Sequence, residues 1–165
     1  MKNHDWATVD SDEKEIVENE VRQLPIKLSN VAKHLNLRVL SATLPDGISG
    51  EIRPDPSIAN HYVIKVNRKD SARRQRFTVA HEIAHFLAHR DAIGDGIADD
   101  VLYRSTLSDS REAQANRIAA DILMPEKLIQ AWIDRCESFD VEDKLDFLAN
   151  KFNVSKSAMK IRLGL

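Results

Sequence analysis

The chain has little of several things that would define other classes of protein. It carries one cysteine, Cys136, which excludes an internal disulfide framework and suits a reducing cytoplasm. No stretch approaches the roughly 20 apolar residues that a membrane-crossing helix needs. The opening residues, MKNHDWATVDSDEKE, lack the apolar core of a signal peptide. The expectation is therefore a cytoplasmic protein with no membrane partner. No internal repeat or low-complexity segment is present. A net charge of −2 gives no overall basic field, which argues against direct DNA binding beyond a local patch.

What is present reads as an ordinary globular chain. Its 165 residues, 42% hydrophobic and 30% charged, are enough for one domain with its own core. Residues 1 to 9 read as frayed. Asp10 to Gln23 has the narrow apolar stripe of an acidic amphipathic helix, ended by Pro25. A second short helix is expected over Lys27 to Asn36. Strands are expected at Leu37 to Ala42, Ile48 to Arg53 and His61 to Asn67, with Pro45-Asp46-Gly47 as a turn. The β-branched run Val63-Ile64-Val66 marks the central strand of a small, largely antiparallel sheet.

A long helix follows from Asp70 to Arg90, with Asp70 or Ser71 as its cap. Residues Asp91 to Ser108 read as a long loop with a helical turn at Asp99 to Tyr103. Loops of that length in a compact domain are often functional. Asp109 to Met124 is helical, with Ala115, Ile118, Ala119, Ile122 and Leu123 on its core face. Pro125 breaks it and opens the next helix, Glu126 to Cys136. Two short helices, Val141 to Phe152 and Ser155 to Leu163, close the chain. This divides the chain into an N-terminal acidic helix and extension (1–24), a core (25–136) and a C-terminal helical hairpin (137–165).

The most informative residues are His81-Glu82-Ile83-Ala84-His85. They read H-E-x-x-H, and residues four apart on a helix share a face, so both imidazoles can reach one ion. In Phe77 to Ala88 the only polar residues are Thr78, His81, Glu82 and His85. A helix apolar nearly all round is buried. Burying a carboxylate and two imidazoles without partners is costly, and a metal gives them partners. Zinc accepts neutral imidazole nitrogens, and Glu82 is placed to act as general base towards water.

A third ligand is needed. No histidine follows His89, so the distal ligand falls to a carboxylate, and Glu112 at the start of a new helix is the choice. By spacing alone, a ligand and a solvated carboxylate favoured by the helix dipole are equally good readings of Glu112. Asn116, one turn later, could hydrogen-bond the free ring nitrogen of a ligand histidine. His89 competes as a ligand, yet successive i+4 positions drift about 6 Å along the axis. It reads as a rim or packing residue. Tyr103, Arg104 and Arg111 are candidate donors to an oxyanion.

HEIAH followed by Glu112-Ala113-Gln114-Ala115-Asn116-Arg117-Ile118-Ala119-Ala120-Asp121-Ile122-Leu123-Met124-Pro125 resembles the ImmA/IrrE metallopeptidases. Their second motif has the form E-x-x-A-N-x-[apolar]-A-x-x-[apolar]-L-M-P. Arg76 to Ala80, Ser49-Gly50 and Ile64-Lys65-Val66-Asn67 also fit the family. The resemblance covers about residues 24 to 165. It implies a compact single-domain α+β fold of zincin-like kind, a small mostly antiparallel sheet on the active-site helix and a helical C-terminal part. It implies one zinc ion per chain, held by His81, His85 and Glu112, with Glu82 as general base. It further implies an intracellular endopeptidase that cleaves a helix-turn-helix repressor encoded nearby and so relieves repression. The departures, Ala84 where glycine is frequent and Ile118 where Phe is common, are packing changes.

Two further segments carry alternatives. Arg73-Arg74-Gln75-Arg76 reads first as a solvated turn with local ion pairs, and second as a contact for substrate or DNA. Leu148 to Leu163 resembles a helix-turn-helix, with Lys156, Lys160 and Arg162 on the last helix. The competing reading, a helical hairpin packed on the core, is preferred. The rival function is a regulatory or toxin–antitoxin-type binding protein with a structural zinc. Glu82 argues against it, because a structural site has no use for a base.

Overall fold

A computed structural model describes residues 4–100 and 109–165. The fold is α+β, as expected. Helix α1 spans Ser11–Glu20, and Asp10 caps it by accepting from the amides of Asp12 and Glu13. Helix α2 (Leu28–His34) leads into β1 (Leu37–Ala42), β2 (Ile48–Pro54) and β3 (Tyr62–Asn67). Helix α3 (Ala72–Ala88) follows, then a single turn α4 (Arg90–Ile93) and β4 (Ile97–Asp100). Helices α5 (Asp109–Leu123), α6 (Glu126–Ser138), α7 (Lys144–Phe152) and α8 (Lys156–Arg162) complete the chain.

The sheet order is β1-β3-β2-β4. β3 pairs antiparallel with β2 and parallel with β1, and β2 pairs antiparallel with β4. Two of three pairings are therefore antiparallel, and β3 is interior as its β-branched residues required. Val63, Ile64 and Val66 are all buried. Strand β4 replaces part of the expected loop 91–108. The turn expected at Asp99 to Tyr103 is half strand, and its remainder lies outside the described residues, as do Tyr103 and Arg104.

Ser71 starts α3 by accepting from the amide of Arg74, as expected of a short hydroxyl side chain at this position. The helix lies across the sheet and packs along α5. Its approach to β2 requires Gly50. A β-carbon there would sit 2.3 Å from Thr78 Cγ2 and 3.0 Å from Glu82 Oε1. On α5, Ala115, Ile118, Ala119, Ile122 and Leu123 are fully buried. Their i, i+3, i+4 spacing makes this face the partner of α3.

Residues 4 to 9 are not frayed. Asp5 and Trp6 form a turn of 3-10 helix against α5. Trp6 is buried and donates its indole N–H to Asp121 at 2.8 Å. Arg117 holds Asp5 through two bonds of 2.9 and 2.8 Å. One large aromatic ring anchors this segment, and a lone ring in a polar string leaves no periodic pattern.

The C-terminal helices pack on the core. Leu148, Ala149, Phe152, Val154 and Met159 join the same buried cluster as α3 and α5. Asn153 ends α7 in the left-handed conformation, and the amide of Val154 reaches back to the carbonyl of Ala149, a helix stop that asparagine tolerates. Lys156 pairs with Asp143 and Asp146, and Arg162 with Asp121. Two of the three cations on this last helix, Lys156 and Arg162, are thus engaged within the chain.

Candidate metal centre

The site lies where the middle of α3 faces the first turn of α5. His81, Glu82 and His85 are buried at 3%, 0% and 0% exposure. The apolar letters around them on α3 put that whole segment inside. His81 Nε2 and His85 Nε2 point at the same space and are 2.9 Å apart. Glu112 brings its two carboxylate oxygens to 3.4 Å from His81 Nε2 and 3.5 Å from His85 Nε2. Phe77, one turn earlier, stacks against the His81 ring.

These three residues form a group able to hold a metal ion. The dimensions fit zinc. Four ligands about 2.1 Å from a tetrahedral ion stand about 3.4 Å from one another. Both nitrogen–oxygen separations match that edge, and the nitrogen pair is somewhat tighter. The donor set of two imidazoles and one carboxylate leaves a position free for water, which distinguishes catalytic sites from closed structural ones. Gly50 of β2 leaves open the space beside Glu82 Oε1, where a β-carbon would lie 3.0 Å away.

Of the two places expected for His89, rim or packing, it takes the packed one, outside the group formed by His81, His85 and Glu112. It is buried at 3% exposure. Its Nδ1 lies 3.1 Å from His85 Nδ1, and its Nε2 lies 3.1 Å from Gln114 Oε1. Both ring nitrogens are therefore used behind the site. Burial pushes its pKa down, and the Gln114 hydrogen bond opposes that shift. Asn116 is exposed, and behind His85 the free ring nitrogen meets His89. The i+4 step that disfavours His89 as a third ligand is the step that lets its ring touch His85. Gln114 was visible only as a variable position in the second motif.

The other sequence candidates separate cleanly. Arg111 pairs with Asp91 at 3.3 Å near the surface. Arg73 and Arg74 of the basic run before the site are engaged within the chain. Arg73 donates to Asn150, and Arg74 contacts both Ser49 and Asp70. Arg76 is half-buried, and burial lowers its pKa. A groove of about 780 Å³ opens beside the site, bordered by Phe77 and Asn116 and running past Arg117 and Met124 to Ile161 and Arg162.

The family model of the IrrE N-terminal-like domain, Peptidase_M78, matches residues 32–164. No curated protein matches the chain. Among solved structures, a Mycobacterium tuberculosis transcriptional regulator is similar, with a TM-score of 0.58 at 19% identity. The alignment covers 94% of this chain and 47% of that one. The likeness is one of fold, and the present chain spans about half the length of that regulator.

Proposed function

Because the chain belongs to the IrrE N-terminal-like peptidase family, we propose that it is a zinc-dependent endopeptidase with His81, His85 and Glu112 as ligands and Glu82 as general base. The observation that carries this reading is the convergence of two imidazole nitrogens and a carboxylate within one small space, next to a buried glutamate. A zinc ion held there would supply a Lewis acid to polarise a carbonyl and to lower the pKa of water towards neutrality. The remaining work belongs to the chain. Glu82 takes the proton of the attacking water and returns it to the departing amine. The closeness of Phe77 to His81 keeps one wall of the site apolar, which strengthens electrostatic interactions inside it.

The groove past Phe77 and Asn116 offers room for the substrate chain on one side of the scissile bond. The substrate we infer is a helix-turn-helix repressor encoded near this chain. Support comes from the resemblance of residues 76–85 and 112–125 to peptidases that act on such repressors. The packing of α7 and α8 on the core favours a structural role for them over DNA binding.

Glu82→Gln tests the reading. The variant should hold zinc as the wild type does and lose cleavage by about 100-fold or more, the scale of a positioned general base. Cleavage at the wild-type rate would refute the mechanism. A stoichiometric repressor complex without fragments, in zinc-loaded wild type, would favour a binding protein instead.

A further inference from the structure

The hydrogen bonds behind His85 can run in only one direction. Gln114 Nε2 lies 2.8 Å from the main-chain carbonyl oxygen of Asp5. A carbonyl only accepts, so the amide nitrogen faces Asp5 and the amide oxygen faces His89. That oxygen is 3.1 Å from His89 Nε2, so Nε2 carries the hydrogen. In the neutral ring, Nδ1 of His89 is then an acceptor.

The same tautomer follows from the other end. An ion on His85 Nε2 requires the hydrogen of that ring to sit on Nδ1. His85 Nδ1 lies 3.1 Å from His89 Nδ1, and the contact is favourable only if His89 offers a lone pair there. Two independent requirements, one from Asp5 and one from the metal, are met by a single arrangement of protons. Asp5 itself is held firmly. Arg117 grips its carboxylate through two bonds, and the neighbouring Trp6 is tied to Asp121.

We propose that Asp5, Gln114 and His89 form a positioning relay that holds His85 in the tautomer and orientation a metal ligand needs. The N-terminal segment is then a working part of the site, although it lies outside the residues matched by the family model. Ligand histidines commonly donate their second nitrogen to a carboxylate or carbonyl. Here a second histidine receives that hydrogen and passes the constraint through α5 to the main chain of the N-terminal turn. This rests on the zinc reading of His81, His85 and Glu112.

The test is zinc affinity, measured by competition with a chromophoric chelator on the full chain. Gln114→Met and His89→Phe keep approximate side-chain volume and remove the relay. Each should bind zinc about 10- to 100-fold more weakly, the usual effect of losing such a partner. His89→Asn, which retains an acceptor near the Nδ1 position, should recover part of the loss. Thermal melts of the metal-free proteins separate a folding defect from an affinity defect. On the zinc-loaded wild type, proton–nitrogen correlation spectra of the imidazoles should place the His89 hydrogen on Nε2, a result independent of any variant. Wild-type affinity in both Gln114→Met and His89→Phe, or a hydrogen on His89 Nδ1, overturns the relay alone. A wild type that takes up no zinc overturns the metal reading and the relay with it.

Discussion

Gly50→Ala adds one methyl group at the point where α3 crosses β2. The new carbon would lie 2.3 Å from Thr78 Cγ2, 3.0 Å from Glu82 Oε1 and 3.3 Å from the Lys65 carbonyl oxygen. Carbon atoms pack at about 3.5–4.0 Å, so the Thr78 contact alone is short by more than about 1 Å. The backbone at Gly50 is not in the left-handed region, so alanine meets no conformational penalty there. The cost is one of contact. Thr78 and Glu82 are buried at 4% and 0% exposure, and neither can swing into solvent. Overpacking of this kind costs about 1–3 kcal/mol, which in a domain of this size lowers Tm by about 2–12 °C. Relieving the Thr78 overlap by moving α3 away from β2 carries Glu82 with the helix, and a shift near 1 Å should also reduce turnover by about 100-fold. Thr78→Ser removes the methyl group in the way and serves as the partner in a double-variant cycle. Differential scanning calorimetry and peptide cleavage on the four proteins should show Thr78→Ser restoring both properties in the Gly50→Ala background, with a coupling of about 0.5–3 kcal/mol. An unchanged melt and rate in Gly50→Ala, or no rescue by Thr78→Ser, would refute this account of how α3 is seated.

Two other perturbations address the N-terminal segment. Trp6→Phe keeps the buried ring and removes its hydrogen bond to Asp121, so the urea midpoint should fall by the equivalent of about 1–2 kcal/mol. Arg117 hydrogen bonds hold the Asp5 carboxyl below its ordinary range, with burial opposing. The unfolded chain therefore binds the proton more readily, and the contribution is present above the ordinary aspartate range and lost as pH falls through the folded value. Comparing urea midpoints at pH 6 and in the acid range, wild type should lose about 1 kcal/mol more than Asp5→Asn. Parallel pH curves for the two proteins would contradict the ion pair's role.

Much of this site could be read from the sequence because its carriers are long periodic segments. Helix α3 announces itself through the apolar surroundings of His81, Glu82 and His85, and α5 through Ala115, Ile118, Ala119, Ile122 and Leu123. Ser71, Pro125 and Asn153 mark boundaries through local backbone chemistry. The convergence of Glu112 on the two histidines is a tertiary fact, which spacing alone leaves open and the second motif implies. What escaped was set by single long-range contacts. Trp6 holds the first turn by one ring and one hydrogen bond to Asp121, 115 positions away. Strand β4 is only four residues long and is specified by its pairing with β2. The i+4 spacing of His89 bears on its reach to an ion, whereas its contact is with the ring of His85. The α5 residue that meets His89 is Gln114, whose position in the second motif carries no fixed letter.

The central claim is that three side chains from α3 and α5 hold one catalytic zinc ion. Elemental mass spectrometry of the purified protein, wild type beside Glu112→Ala, tests it most directly. The wild type should carry about one zinc per chain, as expected of a single three-ligand site, and the variant much less. A wild type that stays metal-free after reconstitution with zinc, or a variant that retains the full complement, would contradict it.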